Sequence, residues 1–370
     1  MKVSVLMAAY NYRAFIGAAI ESVLSQDYLG PVECVVVDDG STDGTAAALA
    51  HFGDAVRYIR QANAGQAAAL NRAFTESTGE VICLLDADDL WRPGKVRRIV
   101  EAFAAFPEVG MVHHYLEKRV DKGVDAGDFQ VCPRRPFDGN VSRGMLLRVL
   151  PWGFSPTSGL SLRRRLCDVI FPLTTGLKTS ADQLIAPVAA LLAPVRYLEE
   201  PLGVYRIHGA NAWSVTQRRL EEADGRYKAA RYVLVMEEKV AHANEVLRRA
   251  GRPVKLSPFL RYRYIERYYQ AHAVSPLSCL PAVSRALLAE NGWGRTQTVR
   301  WVLGLVPRML KHYLRRSHAL PFGRDPMLVQ EALRSIDRKA LQKGPSNGDF
   351  RARGVKSVGC YRCESGPHEA

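Results

Sequence analysis

The chain has 370 residues, 47% of them hydrophobic and 24% charged, with a net charge of +14. That composition excludes an intrinsically disordered protein and suits one large domain or two modest ones. The positive balance either favours anionic partners (nucleotides, nucleic acid, acidic lipid) or serves solubility alone.

Roughly the first 115 residues alternate between strand-like and helix-like patterns, which predicts an α/β layered fold with a mostly parallel sheet. Strands are expected at Val3–Ala9, Glu33–Val37, Val56–Arg60, Glu80–Leu85 and Val109–Tyr115. Helices are expected at Phe15–Gln26, Thr45–Phe52 and Gly65–Thr75. A fourth starts at Pro93, with Val96, Ile99, Val100, Phe103 and Phe106 on its apolar face. Residues 116–145 read as an insertion over the sheet, and 152–211 as short elements broken by Pro and Gly. The resulting division is a catalytic domain over 1–215 (donor half 1–115, acceptor half 116–215), a mostly helical region over 216–340, and a disordered tail over 341–370.

In open α/β sheets ligands bind beyond the carboxyl ends of the strands. Three such ends are polar here: Ala9-Tyr10-Asn11, Asp38-Asp39-Gly40, and Asp86-Ala87-Asp88-Asp89. If the chain stays extended through Asp86 and Asp88, their carboxylates share one face. Two hard oxygen ligands there suit Mg²⁺ or Mn²⁺, with water and phosphate oxygens completing the shell. Helix capping by Asp88 or Asp89 is the rival reading, and an Asx-turn at Gly40 is the rival for Asp38 or Asp39. No Gly-x-Gly-x-x-Gly follows the first strand and there is no P-loop, so a diphosphate would be held by metal rather than by a glycine cradle.

Four stretches in order carry a family resemblance: Ser4 to Asn11, Val36 to Thr45, Asn63-Ala64-Gly65 through Asn71, and Leu84 to Asp89. Residues 3–114 thereby resemble the family 2 glycosyltransferases. The resemblance implies a GT-A fold, that is, a nucleotide-binding mixed sheet flanked by helices. It also implies inverting transfer from a nucleotide-diphosphate sugar. It assigns Ala8, Tyr10, Asp39, Asn63, Gly65 and Asp86 to the nucleotide sugar, with Asp39 and Tyr10 at the base. Asp88 becomes the direct metal ligand, joined by His208 in Tyr205-Arg206-Ile207-His208. Ser158 and Gly159 fall on the acceptor side. Asp182 becomes the catalytic base, though the family's acidic pair is Ala181-Asp182 here, and helix capping is its alternative role. The lack of an apolar run long enough to span a membrane argues against a cellulose- or chitin-like polymerase and points to transfer of a single residue.

Residues 291–324 carry seven Arg and Lys, no acid, and interleaved Trp and Leu. They read either as an interfacial helix on anionic lipid or as a helix packed on the domain, with nucleic-acid binding unsupported by any motif. Cys360, Cys363 and His368 lack a second ligand pair and read as tail. No run reaches the ~18 apolar residues of a membrane span and no signal-peptide core follows Met1, so the expected location is cytoplasmic or peripheral at the inner membrane face. The expected partners are a UDP- or dTDP-sugar and a glycan or lipid-linked glycan in surface-polysaccharide assembly. A metal-dependent nucleotidyltransferase and a non-catalytic sugar- or lipid-binding protein remain as rivals.

Overall fold

The structure is a computed structural model that describes residues 1–124, 131–133, 135–142, 153–176, 179–211, 225–252 and 256. Its strands are β1 (Val3–Ala9), β2 (Val32–Asp38), β3 (Arg57–Arg60), β4 (Val81–Asp86), β5 (Leu90–Trp91), β6 (Met111–Val120), β7 (Leu160–Arg163) and β8 (Val195–Ile207). Its helices are α1 (Arg13–Leu24), α2 (Thr45–Ala50), α3 (Gln66–Thr75), α4 (Lys95–Ala105), α5 (Arg164–Ile170), α6 (Asp182–Leu192) and α7 (Gly225–Arg249).

The strands form one sheet in the order β3-β2-β1-β4-β7-β6-β8-β5. The first four are parallel. The parallel rule breaks at β7, which runs antiparallel to both β4 and β6, while β6 and β8 are again parallel and β5 is antiparallel to β8. The sheet is therefore mixed, as the GT-A resemblance implies, and less parallel than the βα alternation alone predicts.

Alternation along each strand feeds two cores. On one face Leu6, Val35, Val37, Ile82 and Leu84 pack with α3, α5 and α6. On the other, Val5, Met7, Val36, Cys83 and Leu85 pack with α1 and α4. Burying one such side chain contributes roughly 1.5–3 kcal/mol. The α1 stripe is Ile16, Ala19, Ile20 and Val23, the i, i+3, i+4, i+7 pattern of a helix on a sheet.

Several boundaries move for local reasons. Helix α4 begins at Lys95, because Gly94 is left-handed (φ 86°) and turns the chain after Pro93. Strand β6 runs to Val120, five residues past the expected end, because β8 pairs along it. It takes in the start of the expected insertion, so the stretches on either side of residue 115 share one sheet. Among the described residues no helix is long and apolar enough to cross a membrane. Beyond α7, the expected helical region is described only at 250–252 and 256. The basic segment 291–324 and the tail with Cys360, Cys363 and His368 lie outside the described residues.

Candidate active site

Register brings the polar strand ends to one edge. Ala8 pairs with Val37 on one side and with Asp86 on the other, and Ala9 pairs with Asp38. Tyr10 follows on this rim, 47% exposed. Asp38 and Asp39 then separate in role. Asp38 fixes the turn, accepting from the Ser41 N–H (2.8 Å) and the Tyr58 hydroxyl (3.0 Å), so the turn reading holds for it. Asp39 holds the 61–65 loop through the Gln61 amide (2.8 Å) and the Ala64 and Gly65 N–H groups (2.9 and 2.7 Å). Asn63 and Gly65 thus stand beside it, and the φ of 93° at Gly65 favours glycine there. These three bonds hold the Asp39 carboxylate, 3% exposed, in place at the polar rim.

Asp86, Asp88 and Asp89 cluster, but not through an extended segment. The chain turns after β4, with the Asp89 N–H bonded to the Asp86 carbonyl (3.0 Å). Neither Asp88 nor Asp89 caps α4. Burial first, then the neighbouring carboxylates, push the Asp86 carboxyl well above its ordinary range. Asp89 is raised by burial and by Asp88, against the pull of Ser158 and Arg206. Asp88 and Asp89 are 6% and 1% exposed, whereas Asp86 keeps open surface.

A second layer holds this turn. The Ser158 side chain accepts from the Asp86 N–H (3.0 Å) and donates to Asp89 (2.6 Å). It is fully buried, so it faces the carboxylates rather than solvent, and Gly159 is buried behind it. A Cβ at Gly159 would stand 2.6 Å from that of Ser155. Lys95, also fully buried, donates to the Ser158 carbonyl (2.8 Å) over the Trp91 ring, and burial lowers its pKa to about 7. Replacing Ser158→Ala should leave two buried groups unpaired and cost about 1–3 kcal/mol, read as a fall of several degrees in melting midpoint.

The carboxylate end of β8 closes the site. Asp88 Oδ2 accepts from Asn211 Nδ2 and lies against His208 Nε2, both at 3.1 Å. His208 stacks on Phe15 (ring centroids 3.9 Å), which stands outside the buried α1 stripe. Arg206 donates its backbone N–H to Asp89 (3.0 Å) and its guanidinium to the Asp88 and Phe15 carbonyls. Tyr12 hydrogen-bonds Asp88, and its phenol is held protonated by burial and by the three carboxylates.

Two features bear on a metal. His208 turns Nε2, a nitrogen able to ligate a divalent ion, to Asp88 Oδ2 at 3.1 Å. Three carboxylates also crowd where a cation would relieve them. Among the described residues no group of three or more His, Cys, Asp and Glu is placed to hold an ion alone. An Asp88 oxygen and His208 Nε2 suit a divalent ion, provided that its further ligands come from outside this pair.

Asp182 opens α6, keeps accessible surface, and accepts a local bond from the Gln183 N–H (2.9 Å). Burial raises its pKa to about 6, and the Lys239 ammonium of α7 opposes the rise. Lys239 also donates to the Gln183 side chain. Gln66 bonds both Asp86 and the Ala181 N–H beside Asp182, and the Asp182 charge in turn raises Asp86. Gln66, Lys95, Arg206 and Lys239 escape the sequence reading. Of these only Lys95 carries a signal, a charge at i−4 from Ile99 on the apolar face of a helix.

A Glycosyl transferase family 2 profile matches residues 4–155. An uncharacterised glycosyltransferase of Nostoc sp. is 37% identical over 278 residues, covering 73% of this chain and 83% of the relative. The putative glycosyltransferase EpsH of Bacillus subtilis is 26% identical over 230 residues, 60% of this chain and 65% of its own. The crystal structure of S. aureus TarS 1–349 in complex with UDP-GlcNAc aligns over 92% of this chain and 90% of that one, with a TM-score of 0.50 and 17% identity, a likeness of fold. The profile, the Nostoc relative and the mixed GT-A sheet agree: this chain belongs to glycosyltransferase family 2.

Proposed function

We propose that the enzyme is an inverting transferase that moves one sugar from a UDP- or dTDP-sugar to a hydroxyl of a glycan or lipid-linked glycan in surface-polysaccharide assembly. The observation that carries this reading is the Gln66 side chain, which bonds both Asp86 (2.9 Å) and the Ala181 N–H (3.0 Å) and so brings the partly accessible Asp182 close to Asp86. Asp39 and Tyr10 seat the base, with Ala8, Asn63 and Gly65 lining its approach and Asp86 at the ribose. Asp88 and His208 hold Mg²⁺ or Mn²⁺, which when bound would neutralise charge on the leaving diphosphate. Asp182 takes the proton from the acceptor hydroxyl, whose oxygen attacks the anomeric carbon from the side opposite the diphosphate. A uridine donor is also what TarS holds. Ser158 and Gly159 support the acceptor side from behind, through Asp86 and Asp89. A nucleotidyltransferase would place a basic, glycine-rich loop at the end of β1, where this chain has Ala9-Tyr10-Asn11.

A panel of UDP- and dTDP-sugars assayed with Mn²⁺ or Mg²⁺ and with chelator, followed by NMR of the product anomer, tests this. An α-linked donor should give a β-linked product, and an α-linked product would overturn the inverting step. The α7 contact adds a second test. Lys239→Met removes the charge that holds Asp182 down, so the acid limb of the rate profile should move to higher pH. The ratio of rates at pH 6 and pH 8 should fall about two- to fivefold.

A further inference from the structure

The side chain of Gln66 joins Asp86 to a backbone group 115 residues beyond Gln66 itself. Its amide nitrogen donates to Asp86 Oδ1 at 2.9 Å, and its amide oxygen accepts the Ala181 N–H at 3.0 Å. A carboxylate on one side and an N–H on the other leave one orientation of the amide that satisfies both. Asp86 closes β4 on the donor side, and Ala181 immediately precedes Asp182.

We propose that Gln66 is a positioning residue that sets the separation of the donor-side Asp86 and the base Asp182. This rests on Asp182 being the base of the proposed transfer. The anchor is rigid at its own end: Gly65, just before Gln66, donates to Asp39 at 2.7 Å. Further along α3, the Asn71 side chain exchanges two hydrogen bonds with the Leu173 backbone (2.9 and 2.7 Å). Helix α3 therefore ties the chain at Leu173 and again at Ala181, bracketing the approach to the base. Between these ties Ser180 is left-handed, with φ 66° in a residue that has a Cβ. Such a conformation costs on the order of 1 kcal/mol and persists where its surroundings hold it. The Gln66–Ala181 bond is one of those restraints, so losing it lets Ser180 relax and carries Asp182 away from the acceptor hydroxyl.

Gln66→Ala in the full chain tests this, since alanine is a strong helix former and already fills the next three positions of α3. The turnover number should fall about 10- to 100-fold, as for a misplacement of about 1 Å, while the donor KM stays within about threefold. In an Asp182→Asn background the same substitution should cost less than about twofold, because no base remains to be misplaced. A merely structural role would cost as much in both backgrounds. That result, or a turnover number within about twofold of the parent, overturns the proposal. If the alanine variant does not melt cooperatively, Gln66→Met fills the same space without either bond and carries the same comparison. Parental transfer by Asp182→Asn with Gln66 intact would remove the base assignment itself, and the positioning role with it.

Discussion

Asp182→Asn should lower the transfer turnover by about 10²–10⁴-fold, the usual weight of one positioned base. Asparagine preserves the shape and still accepts the Gln183 N–H, so folding and nucleotide affinity should change little. The pH profile makes the loss specific. Burial holds the Asp182 pKa up at about 6, and proton transfer requires the ionised form. Activity of the parent should therefore rise tenfold per pH unit below that value and level off above it. The variant should lose this limb along with its rate. Initial rates from pH 5 to 8, with an acceptor found by screening, measure both. A variant that keeps the limb at full amplitude would assign the base elsewhere.

The donor half was legible because its signals are local. An apolar run such as Val35–Val37 followed by Asp38-Asp39-Gly40 predicts both a strand and its polar end, and the register of β1, β2 and β4 places those ends together. The acceptor half was legible only as motifs. β8 is partly exposed and interrupted by Pro201, and it takes its strand form from pairing with β6 through a bulged register. The geometry within the site follows the same division. Asp88 and His208 can be named from sequence, but their 3.1 Å contact depends on Asn211, Arg206 and Phe15 folding the end of β8 over α1. Long-range partners such as Gln66 and Lys239 leave no periodic trace, since each is one polar residue on an otherwise ordinary helix.

Asp88→Asn separates activity from stability in sign. The variant takes the charge at Asp88 out of a cluster of three crowded carboxyl groups, and its side-chain oxygen still accepts from Asn211. Without metal or nucleotide its melting midpoint should equal or exceed that of the parent, because like charges nearby favour the unfolded state. Its transfer rate should nonetheless fall about 10²–10⁴-fold, corresponding to several kcal/mol of lost charge stabilisation at the departing diphosphate. Binding gives an independent readout. Mn²⁺ with UDP should raise the parental melting midpoint, since a ligand of the native state stabilises it by mass action. In Asp88→Asn most of that increment should vanish, while UDP without metal gives the same small shift in both chains. A metal-dependent increment of parental size in the variant would move the ion away from Asp88 and His208. Loss of the increment with a parental transfer rate would keep the ion's site at Asp88 and make the ion dispensable for the chemistry.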